Sequence, residues 1–436
     1  MKLTTLETLV GRTLGVDARP VPRAAIDAWQ GEQLCRLVDY CRERSPLYRR
    51  KFTAAGIEAV GGLADLARLP LTTEAELRQH GQEMVCVGQE AVARIVTLRS
   101  SGTTGPPKRL WFTDGDLAQT LDFFHLGMRQ LAEPGQTVAI LLPGATPDST
   151  GHLLVSALER MEVNGRIVGL VSEPAQAART VAEIRPEVLV GFPMQILALA
   201  RMAAFLRLDL GPIARVLLCS DYVPETLCRC LRDLLGCEVF VHYGATETGL
   251  GGGVDCAAHE GCHLRETDLL IEIVEPATGR PLPAGQWGEI VCTTLTRTGM
   301  PLIRYRTGDQ GRLLPGPCRC GSHIRRLDRV LGRLDQVRTL KSGRQLAMAD
   351  LDEWLCAIPG LLDHAACLRI RDDREILELR LTAVPGQGEA VRRMAADLLS
   401  RRISQAGTAI GLALAPDTTI HFAKRFLEDH REESAS

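Results

Sequence analysis

In the run Leu98-Arg-Ser-Ser-Gly-Thr-Thr-Gly-Pro-Pro-Lys108, hydroxyls, glycines and one cation are spaced as the grip on a polyphosphate would need them. Gly102 and Gly105 let backbone N–H groups come close to phosphate oxygens, and Ser100, Ser101, Thr103 and Thr104 add hydroxyl donors around them. Lys108 would supply the counter-charge. The glycines stand too close together for a Walker loop, and no Gly-Lys-Ser/Thr follows. A Ser/Thr/Gly cluster also makes an ordinary polar turn, so this run by itself leaves both readings open. The preceding Ile95-Val-Thr-Leu98 reads as a short strand, which sets the cluster at a strand end, where ligands commonly bind.

Three later segments carry compatible chemistry: His242-Tyr-Gly-Ala-Thr-Glu247, Ile303-Arg-Tyr-Arg-Thr-Gly-Asp309 and Gly332-Arg-Leu-Asp335. Taken singly, the first is a strand-to-turn connection and the Asp of the second is a turn or cap residue. With the 98–108 run, and with Arg44-Ser-Pro-Leu-Tyr-Arg-Arg-Lys-Phe52 and Leu66-Ala-Arg-Leu-Pro-Leu-Thr-Thr73 ahead of it, their order and separation resemble the adenylate-forming (acyl-CoA synthetase) superfamily. Within it, the opening segments look like those of phenylacetate-CoA ligase-like enzymes. The resemblance runs from Arg44 to beyond Asp335, and four ordered motifs are far more specific than any one.

What it implies is a two-step reaction. A carboxylic acid is joined to AMP from ATP with release of pyrophosphate, and the mixed anhydride then passes its acyl group to coenzyme A. The first step is in-line displacement at the α-phosphate, where the protein positions groups and neutralises charge. By resemblance, residues 100–108 hold the β- and γ-phosphates, Thr246 bonds the α-phosphate and Glu247 ligates Mg²⁺, an ion that prefers hard oxygen donors. Tyr243 and Gly244 lie against adenine, Asp309 accepts the ribose hydroxyls, and Arg333 is the cation for the same ribose or the phosphate. Asp335 takes the hinge position about which the small C-terminal domain turns, and Lys341-Ser-Gly343 belongs to the face that swings in.

Two places depart from the pattern. The catalytic lysine of the relatives' C-terminal tail aligns with Phe422, and Lys424 follows two residues on as the substitute. Cys219-Ser-Asp-Tyr-Val-Pro224 replaces the relatives' Gly-Ala-Glu-Pro, which leaves Asp221 as the candidate nucleotide contact. Phe192, Ala245, Leu250 and Gly251 border the expected acyl pocket, where the glycines at 251–253 would leave room for an aryl or arylacetic ring. Two other readings stand beside the CoA ligase: transfer of the acyl group to a carrier protein, and a nucleotide- or partner-binding homologue that has lost catalysis, which Phe422 favours.

Cys318-Arg-Cys320 is separated from Cys256, Cys262 and His263 by a β-rich stretch, and a hairpin would bring the two groups together. Thiolates with one imidazole suit a closed tetrahedral Zn²⁺ site that staples loops. Some relatives carry a similar set. The expected ligands are Cys256, His263, Cys318 and Cys320, with Cys262 or His259 as substitutes.

The bulk numbers fit this picture. With 51 Lys+Arg against 53 Asp+Glu and 4% aromatics, nothing points to nucleic acid or an anionic membrane as partner. No signal peptide or spanning run is visible, so a cytoplasmic enzyme is expected, and a homodimer is left open. The 14 cysteines are too spread for a small disulfide framework. Cys228, Cys230 and Cys237 fall in a helix-like stretch. Periodicity predicts a helix over 27–52 and another over 116–131. Strands at 137–142, 166–171, 188–192, 215–219 and 238–242 then alternate with helices, the rhythm of a mostly parallel sheet covered by helices. Hairpins follow at 270–274 and 289–293. Beyond them come a helix at 348–357, strands at 365–371 and 376–382, a helix at 388–404 and a strand at 419–422. The expected class is therefore α/β: a large N-terminal domain, residues 1–334, with a β-rich part at about 255–330, and a small mobile α+β domain, residues 335–436.

Overall fold

A proline cannot extend a helix that reaches it from the N-terminal side, and Pro46 divides the helix expected over 27–52 into two. The computed structural model describes residues 2–98, 106–147, 149–403, 408–420 and 425–431. In it one helix spans Arg23–Arg44, Ser45 is extended, and a second helix spans Pro46–Ala54. The buried Ser45 hydroxyl accepts the Tyr48 N–H at 3.3 Å and donates to the Glu83 carbonyl at 2.7 Å, so it caps the second helix and ties it down. The chain forms two compact units, Met1–Gln130 with Val241–Val330 and Leu131–Phe240 with Leu331–Ser436.

In the first unit, strands Arg94–Leu98 and Lys108–Phe112 form an antiparallel hairpin whose closing pair is Leu98 with Lys108. An antiparallel sheet is built from Leu269–Val274, Gly288–Thr294 and Tyr305–Gly311. The early Leu66–Thr73 segment braces its last strand. Thr72 exchanges main-chain bonds with Arg304 and Arg306, its hydroxyl donates to the Ile303 carbonyl at 2.7 Å, and the Ile303 N–H donates to the Tyr48 hydroxyl at 2.8 Å. Leu77, Met84, Phe112, Ile271, Ile290 and Tyr305 share the core beneath.

Asp309, expected in a turn, lies inside a strand. Glu289 pairs with Gln310 and Val291 with Arg306, so Thr307, Gly308 and Asp309 face the single residue Ile290. The extra residues form a β-bulge that re-aims the Asp309 side chain. Gly308 sits at φ +76°, which glycine reaches without strain.

The second unit contains parallel strands in the order Arg215–Leu218, Val188–Gly191, Thr137–Leu141, Asn164–Ile167. Helices Thr150–Glu159, Pro174–Ile184, Pro193–Leu206 and Glu225–Leu235 alternate with them in the chain. Cys228 and Cys230 are in the last of these helices, whereas Cys237 follows its Gly236 cap. The rest of the unit is an α+β assembly with its own core, including Leu351, Leu361, Leu377, Leu381 and Leu399. The strand expected at 419–422 is absent from its described part, Thr419 and Ile420; the strand lies earlier, at Ala409–Leu414. There six residues pair in parallel with Ile376–Leu381, while Pro416 and Asp417 interrupt any extension. Glu353 fastens this assembly to the helix Glu225–Leu235, accepting from the Tyr222 hydroxyl at 2.9 Å, the Glu225 N–H at 2.7 Å and the Thr226 hydroxyl at 2.9 Å. Among the described residues no helix is long and apolar enough to cross a membrane.

The double role of Ser45 makes a direct stability test. Ser45→Ala should lower the free energy of unfolding by about 1–2 kcal/mol in urea titration, since it removes a cap and takes the Ser45 donor from the part-buried Glu83 carbonyl.

Candidate active site

Lys108 opens the second hairpin strand, and Glu247 lies on the short turn Thr246–Thr248 that follows the strand Glu238–Tyr243. Both are 7% exposed, and the Lys108 ammonium contacts Glu247 Oε1 directly. The Tyr305 hydroxyl donates to the same oxygen at 3.3 Å, and Glu74 Oε2 stands 3.9 Å from Lys108 Nζ. Burial opposes ionisation of Glu247, but the Lys108 charge overcomes it and holds the carboxyl below its ordinary value. Burial and the same carboxylate push the Tyr305 phenol far up, so it remains a donor.

A second pair lies in the same unit. The Tyr243 hydroxyl donates to Asp309 Oδ2 at 3.1 Å, with the Asp309 bulge facing the end of the Tyr243 strand. Burial, then the Asp309 charge, raises the Tyr243 pKa. Arg304 and Arg306, on either side of Tyr305, are structural. Arg304 binds Glu272 and the carbonyls of Ala67, Leu69 and Gly279, and Arg306 binds Glu289.

The expected residues are thus partly assembled. Lys108, Tyr243, Gly244, Ala245, Thr246, Glu247, Leu250, Gly251 and Asp309 fall in the first unit, with Ala245 and Thr246 half-buried on the connecting loop. Phe192, Asp221, Arg333 and Asp335 belong to the second. There the Asp221 carboxylate accepts the Tyr222 N–H at 2.9 Å, and Arg333 Nε lies 3.2 Å from Asp335 Oδ1. Ser100, Ser101, Gly102, Thr103, Thr104, Gly105, Phe422 and Lys424 lie outside the described residues. The glycines do not leave the room expected of them. A Cβ on Gly251 would come within 2.3 Å of the Phe123 ring, and one on Gly252 within 3.1 Å of Tyr243, so the protein's own rings fill that space.

Tyr305 and His242 are the residues the sequence did not single out. Strand alternation puts Tyr305 on the opposite face from Arg304 and Arg306, which was the available signal for the first. His242 carries no such mark: both of its ring nitrogens are covered and without a hydrogen-bond partner.

Cys256, His263, Cys318 and Cys320 form one buried cluster whose donor atoms all lie within 4.8 Å of one another. Cys256 Sγ is 3.8 Å from Cys318 Sγ, and Cys320 Sγ is 3.5 Å from His263 Nε2. The pairing of Arg326 with His263 brings the two stretches together. The substitutes point elsewhere: Cys262 Sγ toward the Val241 carbonyl, and His259 Nδ1 to Asp255 at 2.7 Å.

Residues 64–296 match the family model of AMP-binding enzymes. The chain belongs to that family. It is 33% identical over 360 residues to phenylacetate-coenzyme A ligase of Thermus thermophilus, covering 79% of this chain and 78% of that one. The Escherichia coli enzyme of the same name is 30% identical over 363 residues, covering 79% and 80%. In fold the family member resembles crystal structures of 2-hydroxyisobutyryl-CoA ligase, with a TM-score of 0.80 at 20% identity over 95% of this chain and 92% of that one.

The depressed Glu247 pKa fixes a pH dependence. A carboxyl whose native pKa lies below the ordinary 4.5 adds stability that is present above that pH and lost as pH falls through the native value. Glu247→Gln should therefore be less stable than the parent at neutral pH, with the gap closing below about pH 4.5. Urea titrations across that range would show it; a gap independent of pH would contradict it.

Proposed function

We propose an aryl or arylacetic acid as the substrate of this chain, which is an ATP-dependent acid–CoA ligase acting through an acyl adenylate. The observation that carries the mechanism is the buried Lys108–Glu247 pair. Each partner is the complement of one charge that a metal-bound nucleotide brings, so binding exchanges one pairing for two: Lys108 with phosphate, Glu247 with the cation. The donor set fits magnesium, because Lys108 and Tyr305 both engage Oε1 of Glu247 and a hard carboxylate oxygen is what that ion takes beside phosphate. When bound, the ion would neutralise charge on the phosphates. Thr246, on the same turn, bonds the α-phosphate, Tyr243 and Gly244 face the base, and Asp309 receives the ribose hydroxyls.

The acid's carboxylate oxygen then attacks the α-phosphorus and pyrophosphate leaves. In the second step the thiol sulfur of coenzyme A attacks the acyl carbon and AMP leaves, the thiol proton passing to solvent or a nearby base. We assign residues 335–436 the mobile role, with Asp335 as hinge and Lys424 as the tail cation. The Asp335 side chain is 68% exposed, and the contacts that turning would break are the bond from Arg338 to its carbonyl at 2.7 Å and its pairing with Arg333.

We further propose that the Cys256, His263, Cys318 and Cys320 cluster holds a structural Zn²⁺. Three thiols and an imidazole match the ion's preference, and a 3.8 Å sulfur–sulfur spacing is near the edge of a tetrahedron with metal–sulfur bonds of about 2.3 Å. All 14 cysteines are free of disulfides, which supports placing the enzyme in the reducing cytoplasm.

Two experiments check these assignments. Glu247→Gln should cut acid-dependent pyrophosphate exchange by about 100-fold or more, and exchange at the parent rate would remove Glu247 from the site. Cys318→Ser should lower zinc from about one ion per chain to near none, with a loss of thermal stability and no need for substrate in the assay. Unchanged metal content in that variant would dismiss the cluster.

A further inference from the structure

His242 is the penultimate residue of the strand Glu238–Tyr243 and pairs with Val254. Its ring packs on Phe123 with centroids 5.9 Å apart, and Cε1 lies 2.7 Å from where a Cβ on Gly244 would stand. The residue is half-buried, yet neither ring nitrogen reaches solvent or any hydrogen-bond partner. Each unsatisfied polar atom of this kind costs about 1–3 kcal/mol, and a leucine or isoleucine would fill the same space without that cost. An imidazole retained there implies that its partner arrives with a ligand.

The surroundings define the ligand's chemistry. At this turn the Thr120 hydroxyl donates to the Gly249 carbonyl at 2.9 Å and Arg265 pairs with Asp268, while Arg297 Nη1, beside Gly249, is a further buried donor without a partner. Burial pulls the His242 pKa down to about 4, so at neutral pH the ring carries one N–H donor and one bare nitrogen acceptor. A neutral group that can donate and accept suits it, and a hydroxyl does both. A second carboxylate would turn to the guanidiniums of this turn, Arg265 over the Phe123 ring at 5.5 Å and Arg297 beside Gly249, rather than to an uncharged imidazole. A half-turn about the Cβ–Cγ bond keeps the ring's outline and exchanges Nε2 with Cε1, the atom that faces Gly244. Ala245, Leu250 and Gly251, assigned to the acyl pocket by resemblance, lie on the same loop, with the Phe123 ring against Gly251.

We propose that His242 determines specificity in the acyl pocket, and that the acid activated by this chain carries a hydroxyl group that hydrogen-bonds the imidazole. The inference rests on the ligase reading and narrows its substrate from aryl acids in general to hydroxy-substituted ones.

The test uses the full-length enzyme and matched acids: phenylacetate against its 2-, 3- and 4-hydroxy derivatives, and an aliphatic acid with and without a 2-hydroxyl. Pyrophosphate release with ATP and CoA gives kcat/KM, while calorimetric titration and the ¹⁵N resonances of labelled histidine read the pocket without turnover. At least one hydroxy acid should exceed its parent about tenfold or more in kcat/KM and shift the His242 resonances where the parent does not. His242→Leu should reduce that preference ratio about tenfold, and His242→Gln should recover part of it. Equal losses for both members of a pair would mean that His242 only packs, and a parental ratio near one would overturn the proposal outright. If no acid releases pyrophosphate, the ligase reading fails. Titration and ¹⁵N shifts then decide the pocket separately, and equal binding of paired acids would end this inference too.

Discussion

A carboxylate as deeply buried as Glu247 needs a fixed positive charge, and Lys108, 139 residues earlier in the chain, supplies it. The pair joins two elements at once, the Lys108 end of the strand Lys108–Phe112 and the turn after Tyr243. Buried ion pairs are weak contributors to stability, because desolvation consumes most of the attraction; apolar residues of equal volume would serve as well or better. The pair therefore makes sense as stored charge complementarity. Its two halves separate without leaving an uncompensated group only when a ligand brings one negative and one positive partner together, which is what a metal-bound triphosphate does. Tyr305, held protonated by burial and by the same carboxylate, donates to Oε1 and keeps it oriented.

The segments that look most diagnostic in the sequence divide into braces and chemistry. Tyr48, Thr72 and Arg304 spend their hydrogen bonds on holding residues 303–306, at the start of the strand Tyr305–Gly311, to the early part of the chain. Arg304 alone satisfies three main-chain carbonyls and one buried carboxylate, an arrangement that only a forked guanidinium can make. With the strand fixed, the bulge opposite Ile290 turns Asp309 toward Tyr243. A strand in regular register would have left these side chains alternating, and Asp309 would follow Tyr305 and Thr307 on one face without the extra reach.

Much of the architecture was legible because it is local. The alternating strands and helices between 137 and 242 follow apolar runs and helical periodicity, and the helix Glu225–Leu235 has the limits its sequence suggests. The Cys and His spacing also predicted the cluster, since a two-stranded ladder is the simplest way to join those stretches. What could not be read depends on partners distant in sequence. The bulge at Asp309 exists only through its register with Glu289 and Val291. The glycines at 251–252 suggested open space, but Phe123 and Tyr243 occupy it. Tyr305 and His242 gain their character from burial beside a carboxylate in one case and from the absence of any partner in the other. The Ser45 break was written in the Ser-Pro dipeptide and was hidden by the helical periodicity on both sides of it.

The cluster and the strand that carries His242 and Tyr243 are mechanically linked. Arg326 pairs with His263, Val254 pairs with His263 on the other side, and His242 pairs with Val254. The strands concerned are only two or three residues long at Gly253–Val254, Cys262–Leu264 and Arg326–Leu327, too short to hold register by main-chain bonds alone. The proposed metal crosslink through His263 and three cysteines would fix the middle strand of this ladder. Gly253 then lets it approach, because a Cβ there would come within 2.9 Å of the His263 carbonyl. The positions of His242 and Tyr243 are thus tied, two strands away, to the cluster of Cys256, His263, Cys318 and Cys320.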